Sequence, residues 1–143
     1  MGYGGMGGWH TKRLQEIPGV VELAGVYDIK PERNKAAEEN GIHAYSSFEE
    51  LLADKTVDVV TVAIPNDQHK KVCIQVMEAG KVAISEKPVT LCTADLEEMI
   101  AASKRTGSVF TVHQNRRWDE DFRVAEKICL LYTSPSPRDK RQS

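Results

Sequence analysis

Residues 57–64, Val-Asp-Val-Val-Thr-Val-Ala-Ile, constrain the fold more than any other stretch of this chain. The run is rich in β-branched residues, shows little alternation of apolar and polar positions, and stops at Pro65. A strand of that kind is buried on both faces, which happens where helices cover both sides of a parallel sheet.

The neighbouring sequence supplies the helices and further strands. A helix over 5–17 is broken by Pro18-Gly19, and the apolar run 20–27 reads as a buried strand ending at Asp28. Pro31 suits the first turn of a helix through Asn40, with Gly41 as its terminator, and a short strand follows over 43–45. Ser47 and Glu50 have the spacing of a capping box ahead of Leu51 and Leu52. Beyond Pro65, a helix over 67–79 gathers Val72, Cys73, Val76 and Met77 on one face and stops at Gly80, and residues 82–85 form the next strand. Thr93 is placed to cap a helix in which Leu96, Met99 and Ile100 share a face and which ends at Gly107. A strand over 108–112 and a helix over 118–128 complete the pattern. Strands alternating with helices predict an α/β fold, a doubly wound parallel sheet with right-handed crossovers.

Length and charge narrow the partners. The 143 residues suit one ordinary domain. A net charge of −2 provides no broad positive field, so neither nucleic acid nor an anionic membrane is expected as a partner. No apolar run approaches the roughly 20 residues of a membrane span, no signal peptide opens the chain, and the expected location is cytoplasmic. Three cysteines without a Cys-x-x-Cys pair, and no His/Cys cluster at metal spacing, predict no metal.

The composition changes at Cys129. From there to Asp139 the string Cys-Leu-Leu-Tyr-Thr-Ser-Pro-Ser-Pro-Arg-Asp loses helical and strand period and resembles the translation of a transposon-end adapter used in sequencing libraries. Residues 129–143 are therefore read as a non-native tail, with a Pro/Ser linker or basic tail as the alternative. Without them the charge is −4.

Gly2, Gly4 and Gly7 fit G-x-G-x-x-G, the turn that brings backbone N–H groups of residues such as Gly5 and Met6 to a pyrophosphate at a helix N-terminus. Asp28 lies 21 residues past Gly7 at a predicted strand end, where an acidic residue accepts the ribose hydroxyls and favours NAD. Lys30 and Arg33 beside it leave NADP possible.

The motifs together carry a resemblance. Glu86-Lys87-Pro88 after the strand at 82–85, Ile64-Pro65-Asn66-Asp67-Gln68-His69, Ala79-Gly80-Lys81 and His113-Gln114-Asn115-Arg116-Arg117-Trp118-Asp119 occur in one order. In that order they resemble the glucose-fructose oxidoreductase, inositol dehydrogenase and rhizopine-catabolism (Gfo/Idh/MocA) family, over residues 2–128. The resemblance implies a Rossmann domain followed by a larger domain on an open sheet. Together these would oxidise or reduce a secondary alcohol of a sugar, cyclitol or similar small molecule, in a homo-oligomeric parent enzyme.

The resemblance also implies site residues. Lys87 would be catalytic, hydrogen-bonding the reacting oxygen beside the nicotinamide, with Glu86 and Pro88 at the cofactor and the Lys87–Pro88 bond cis. Pro65 and Asn66, at the carboxyl end of the strand over 57–64, are placed to line the nicotinamide ribose. His69, in the first turn of the next helix, is either a further cofactor residue or a side chain that faces solvent or fills a groove, and Arg116 and Trp118 would reach substrate or the domain interface. The family's proton-transferring histidine comes from an Asp-x-x-x-His stretch that this sequence lacks, so the chain alone is expected to be inactive and to lack the C-terminal domain. The family's first strand, which would lie between 20–27 and 57–64, is expected to be missing as well. Two unpaired inner edges then favour instability, strand-exchanged dimers or aggregation. A non-catalytic regulatory module of the same fold remains an alternative, and so does a methyltransferase-like Rossmann protein, against which Glu86-Lys87-Pro88 argues.

Overall fold

The computed structural model describes residues 1–132, and its contacts divide into one unit, Met1–His113, and a second from Gln114 onward. The first unit is built on three parallel strands in the order β1 (Val59–Val62), β2 (Val82–Ser85) and β3 (Phe110–Val112). Their register aligns Val62 with Ser85, and Ser85 with Val112, so the strands end at one edge.

Helices account for the remaining order: α1 (Gly5–Gln15), α2 (Pro31–Glu39), α3 (Phe48–Ala53), α4 (His69–Glu78) and α5 (Thr93–Thr106). The predicted apolar face of α4, Val72, Cys73, Val76 and Met77, is buried, and it packs with Val60, Val62, Ala83, Met99 and Ala102 in the main core. Each such side chain withdrawn from water contributes about 1.5–3 kcal/mol before the cost of ordering it. A smaller cluster of Val26, Ala37 and Ile42 holds α2. In the second unit, a 3₁₀ turn over Asn115–Trp118 leads to α6 (Glu120–Tyr132). Among the described residues no helix is long and apolar enough to cross a membrane.

Four expectations are corrected. The strand over 20–27 does not form, and neither does the one over 43–45: only an isolated parallel bridge joins Val26 to Ala44, and Val20 is 79% exposed. The reason is a slot of about 550 Å³ with Val20, Val21 and Leu23 on one side and Val57, Val59 and Thr61 on the other. A ladder cannot run across it. Only Met1 bridges the slot at its end, its amine donating to the Thr61 carbonyl at 2.9 Å and its carbonyl accepting from Ala63 N–H at 2.9 Å, while Gly2 N–H donates to the Tyr27 carbonyl at 2.7 Å.

The third concerns α5, whose N-cap is Cys92 in extended conformation, with Thr93 its first helical residue. The fourth is the loss of helical period expected from Cys129: α6 continues through Cys129 to Tyr132, because Cys129, Leu130 and Leu131 tolerate helix and the next proline arrives only at 135. The rest of the expected tail, 133–143, lies outside the described residues. The capping box forms in part: Ser47 Oγ accepts from Glu50 N–H at 3.0 Å, while the Glu50 carboxylate reaches Ser46 N–H and Oγ.

Candidate functional site

The strand register sets the C-terminal ends of β1, β2 and β3 side by side, and the turn from Met1 into α1 comes up against the end of β1. Doubly wound sheets bind ligands at that edge. Gly2 has φ +85° and a Cβ there would meet the Ala63 carbonyl oxygen at 2.4 Å; a Cβ on Gly7 would meet the Gly2 carbonyl oxygen at 2.0 Å. Backbone thus packs on backbone where only glycine fits. No side chain caps α1 and no acidic residue lies in its first turn, so the first-turn N–H groups of exposed Gly5 and Met6 and the helix dipole are left for an anion.

Asp28, expected at a strand end, follows the irregular segment 20–27, two residues past the Val26 bridge, and is 4% exposed. Its carboxylate accepts from Tyr3 N–H at 2.8 Å, Lys30 N–H at 2.9 Å and Arg33 Nη1 at 3.0 Å. Burial alone would push its pKa up, but these bonds and the Arg33 charge outweigh burial and hold it below the ordinary carboxylate value. Arg33 also lies over the glycine turn, 3.3 Å from where a Gly4 Cβ would be. A cleft of about 680 Å³ runs between Asp28, Lys30 and Arg33 on one side and Ile64, Pro65 and Gln68 on the other, with Gly2 at its floor.

These residues fit a dinucleotide: a glycine cradle that any Cβ would fill, an uncapped helix N-terminus for the pyrophosphate, and a buried carboxylate across a cleft for a ribose. Beyond Pro65, Asn66 opens a 3₁₀ turn into α4. His69 is fully buried, with Nε2 at 2.9 Å from the Ile64 carbonyl and Nδ1 at 3.1 and 3.2 Å from the Pro88 and Val89 carbonyls. Its ring ties together the chain leaving β1 and β2, behind the edge where a ligand would lie. Lys87 and Pro88 are exposed and their peptide bond is cis.

Glu86, next to Lys87, faces inward at 5% exposure. Oε1 lies 2.6 Å from His10 Nε2 and 3.1 Å from His113 Nδ1, and Oε2 accepts from Lys87 N–H at 3.1 Å. Burial raises its pKa, but the His10 and Lys87 hydrogen bonds and the charge of the two histidines more than offset that, leaving the carboxyl below its ordinary value. Sequence reasoning gave His10 no role. Its one signal is its place three residues past Gly7, on the helix face that turns toward the strand ends. Arg116 and Trp118 belong to the second unit, where Arg116 pairs with Asp119 at 2.9 Å and Trp118 is 78% exposed.

Comparison with known proteins agrees with this geometry. The Gfo/Idh/MocA family, described as an oxidoreductase family with an NAD-binding Rossmann fold, matches residues 1–114. An NAD-binding protein from Listeria innocua superposes with a TM-score of 0.85 at 44% identity, covering 92% of this chain and 39% of that one. The WlbA dehydrogenase of Chromobacterium violaceum, in complex with NADH and UDP-GlcNAcA, superposes with a TM-score of 0.84 at 26% identity over 91% of this chain and 38% of that one. The scyllo-inositol 2-dehydrogenase (NADP(+)) IolU of Bacillus subtilis is 34% identical over 83% of this chain and 38% of its own length. The chain thus spans under two fifths of the length of each of these three proteins.

Proposed function

Since this chain belongs to the Gfo/Idh/MocA oxidoreductase family, whose described domain is an NAD-binding Rossmann fold, we propose that it is the nucleotide-holding part of an NAD(P)-dependent enzyme. That enzyme interconverts a secondary alcohol and a ketone on a sugar, cyclitol or similar small molecule. The carrying observation is the glycine turn of Gly2 and Gly7, where only glycine fits, beside buried Asp28, which accepts from Tyr3 N–H of that turn and lines one cleft with Gly2. Inositol 2-dehydrogenases among the relatives support the substrate class.

The nicotinamide, when bound, supplies hydride acceptance or donation. This chain's residues do the rest. Gly4, Gly5 and Met6 present N–H groups to the pyrophosphate, and Asp28 accepts from the adenosine ribose. Pro65 and Asn66 line the nicotinamide ribose. Lys87 offers an ammonium to the reacting oxygen, whose alkoxide character it stabilises. Glu86 and His69 serve this site from behind, Glu86 through the Lys87 backbone and His69 through the Pro88 carbonyl. The family's Asp-x-x-x-His stretch for proton transfer is not in this sequence, and on that reading the chain alone binds nucleotide without catalysis.

Titration calorimetry on the 143-residue chain tests this. NAD should give a saturable heat that Asp28→Ala weakens about tenfold or more, the loss of one charge-assisted ribose contact. Absence of heat with both NAD and NADP from a cooperatively melting sample would overturn the reading. In a full-length enzyme carrying this domain, Lys87→Ala should lower kcat about a hundredfold or more while NAD affinity stays within about twofold.

A further inference from the structure

We propose that His10 Nε2, Glu86 Oε1 and His113 Nδ1 form a zinc-binding site at the junction of α1 with the ends of β2 and β3. The three ligand atoms lie within 4.8 Å of one another, although Glu86 stands 76 residues from His10 and 27 from His113 in sequence. The two rings meet edge to face with centroids 4.7 Å apart. Zinc bonds of about 2.0–2.1 Å in tetrahedral geometry put neighbouring ligand atoms about 3.3 Å apart, so the 2.6 and 3.1 Å contacts with Glu86 must open by under about 1 Å, and the two histidine nitrogens, within 4.8 Å of each other, must close by up to about 1.5 Å.

Three further features suit an ion. Two imidazoles and one carboxylate form a nitrogen-rich set that selects zinc over magnesium or calcium and leaves a fourth position for water. The carboxylate is already oriented, because Oε2 is held by Lys87 N–H, the kind of outer support that metal-binding carboxylates use. Charge balance is the third. Among the described residues no lysine or arginine pairs with buried Glu86, whose ion-pair partners are the two histidines. A divalent ion would be a permanent countercharge there. The His10 and His113 side chains are 14% and 26% exposed, which gives an ion a way in.

The proposal does not rest on the nucleotide reading, although Glu86 also accepts from Lys87 N–H. Its ion would staple α1 to two strand ends and raise stability by mass action. The competing state is a hydrogen-bonded His–Glu–His cluster with no ion.

The test uses the whole 143-residue chain, stripped with a chelator and titrated with zinc by calorimetry, with cobalt as the spectroscopic probe. The expected result is one equivalent of zinc bound, a chelator-reversible rise in melting temperature, and a cobalt ligand-field spectrum without the near-ultraviolet thiolate charge-transfer band. His113→Gln keeps a hydrogen-bonding group beside Glu86 while removing the imidazole, and its zinc affinity should fall about tenfold or more at unchanged apo melting temperature. No stoichiometric uptake by the unsubstituted chain would overturn the proposal. A thiolate band reporting binding at a cysteine would also overturn it, and so would unchanged affinity in His113→Gln.

Discussion

Asp28 is almost wholly buried and yet held in its charged form, because two backbone N–H groups and Arg33 converge on it. Its folded pKa is lowered against burial, so its contribution to stability is complete above its ordinary value of about 4 and is lost as pH falls through the folded value. Asp28→Asn should therefore flatten the stability profile below about pH 4, read as melting temperature against pH; an unchanged acid limb would show that the network is not in place. For selectivity, Asp28→Ser removes the carboxylate while Lys30 and Arg33 remain. The preference for NAD over NADP should drop about tenfold in paired titrations, since like-charge repulsion of a 2′-phosphate is worth on the order of 1–2 kcal/mol. Asp28 and Lys87 could be singled out as candidates in the sequence because local spacing and a strand-end motif mark them. The His10–Glu86–His113 cluster was not, because only tertiary packing joins residues so far apart. The anchoring of His69 to the Pro88 and Val89 carbonyls was hidden for the same reason, since those partners lie in the loop after β2.

At the scale of elements, local chemistry decided what could be read. The Ser47 cap forms as its spacing implied, and Ser47→Ala should cost about 1 kcal/mol in denaturant unfolding, with no change in nucleotide affinity. A loss near zero would mean that α3 is held by Phe48 and Leu51 alone. The faces of α4 and the ends of α2, α4 and α5 were equally legible, from helical period and the glycines at 41, 80 and 107. Strands follow a different rule. Residues 82–85 and 110–112 pair because a neighbour stands beside each, whereas the equally apolar 20–27 has the open slot on one side and stays irregular. A strand is a property of its pair, so its sequence alone shows only that it is ready to form one.

For the whole molecule, the slot between residues 20–26 and β1 governs stability. Val20 and Val59 are exposed on its two sides, and the Met1 amine at its end is buried with its pKa lowered to about 6, mainly by loss of water and partly countered by the Asp28 charge. An amine that ordinarily titrates near 8 takes its proton more readily in the unfolded chain, so stability should rise between pH 6 and 8 by up to about 3 kcal/mol and level off above. Placing a five-residue apolar strand, such as Val-Ile-Val-Ile-Val, ahead of Met1 replaces that amine by a peptide N–H that can still donate to Thr61. It also offers both slot edges a ladder partner. Each buried β-branched side chain adds about 1.5–3 kcal/mol, so the extended chain should melt roughly 10 °C or more higher. Its melting temperature should also lose the rise between pH 6 and 8. Parallel melts of the two chains at pH 6, 7 and 8 check both effects. A higher melting temperature with the pH slope retained would mean that the slope arises from a group other than the Met1 amine.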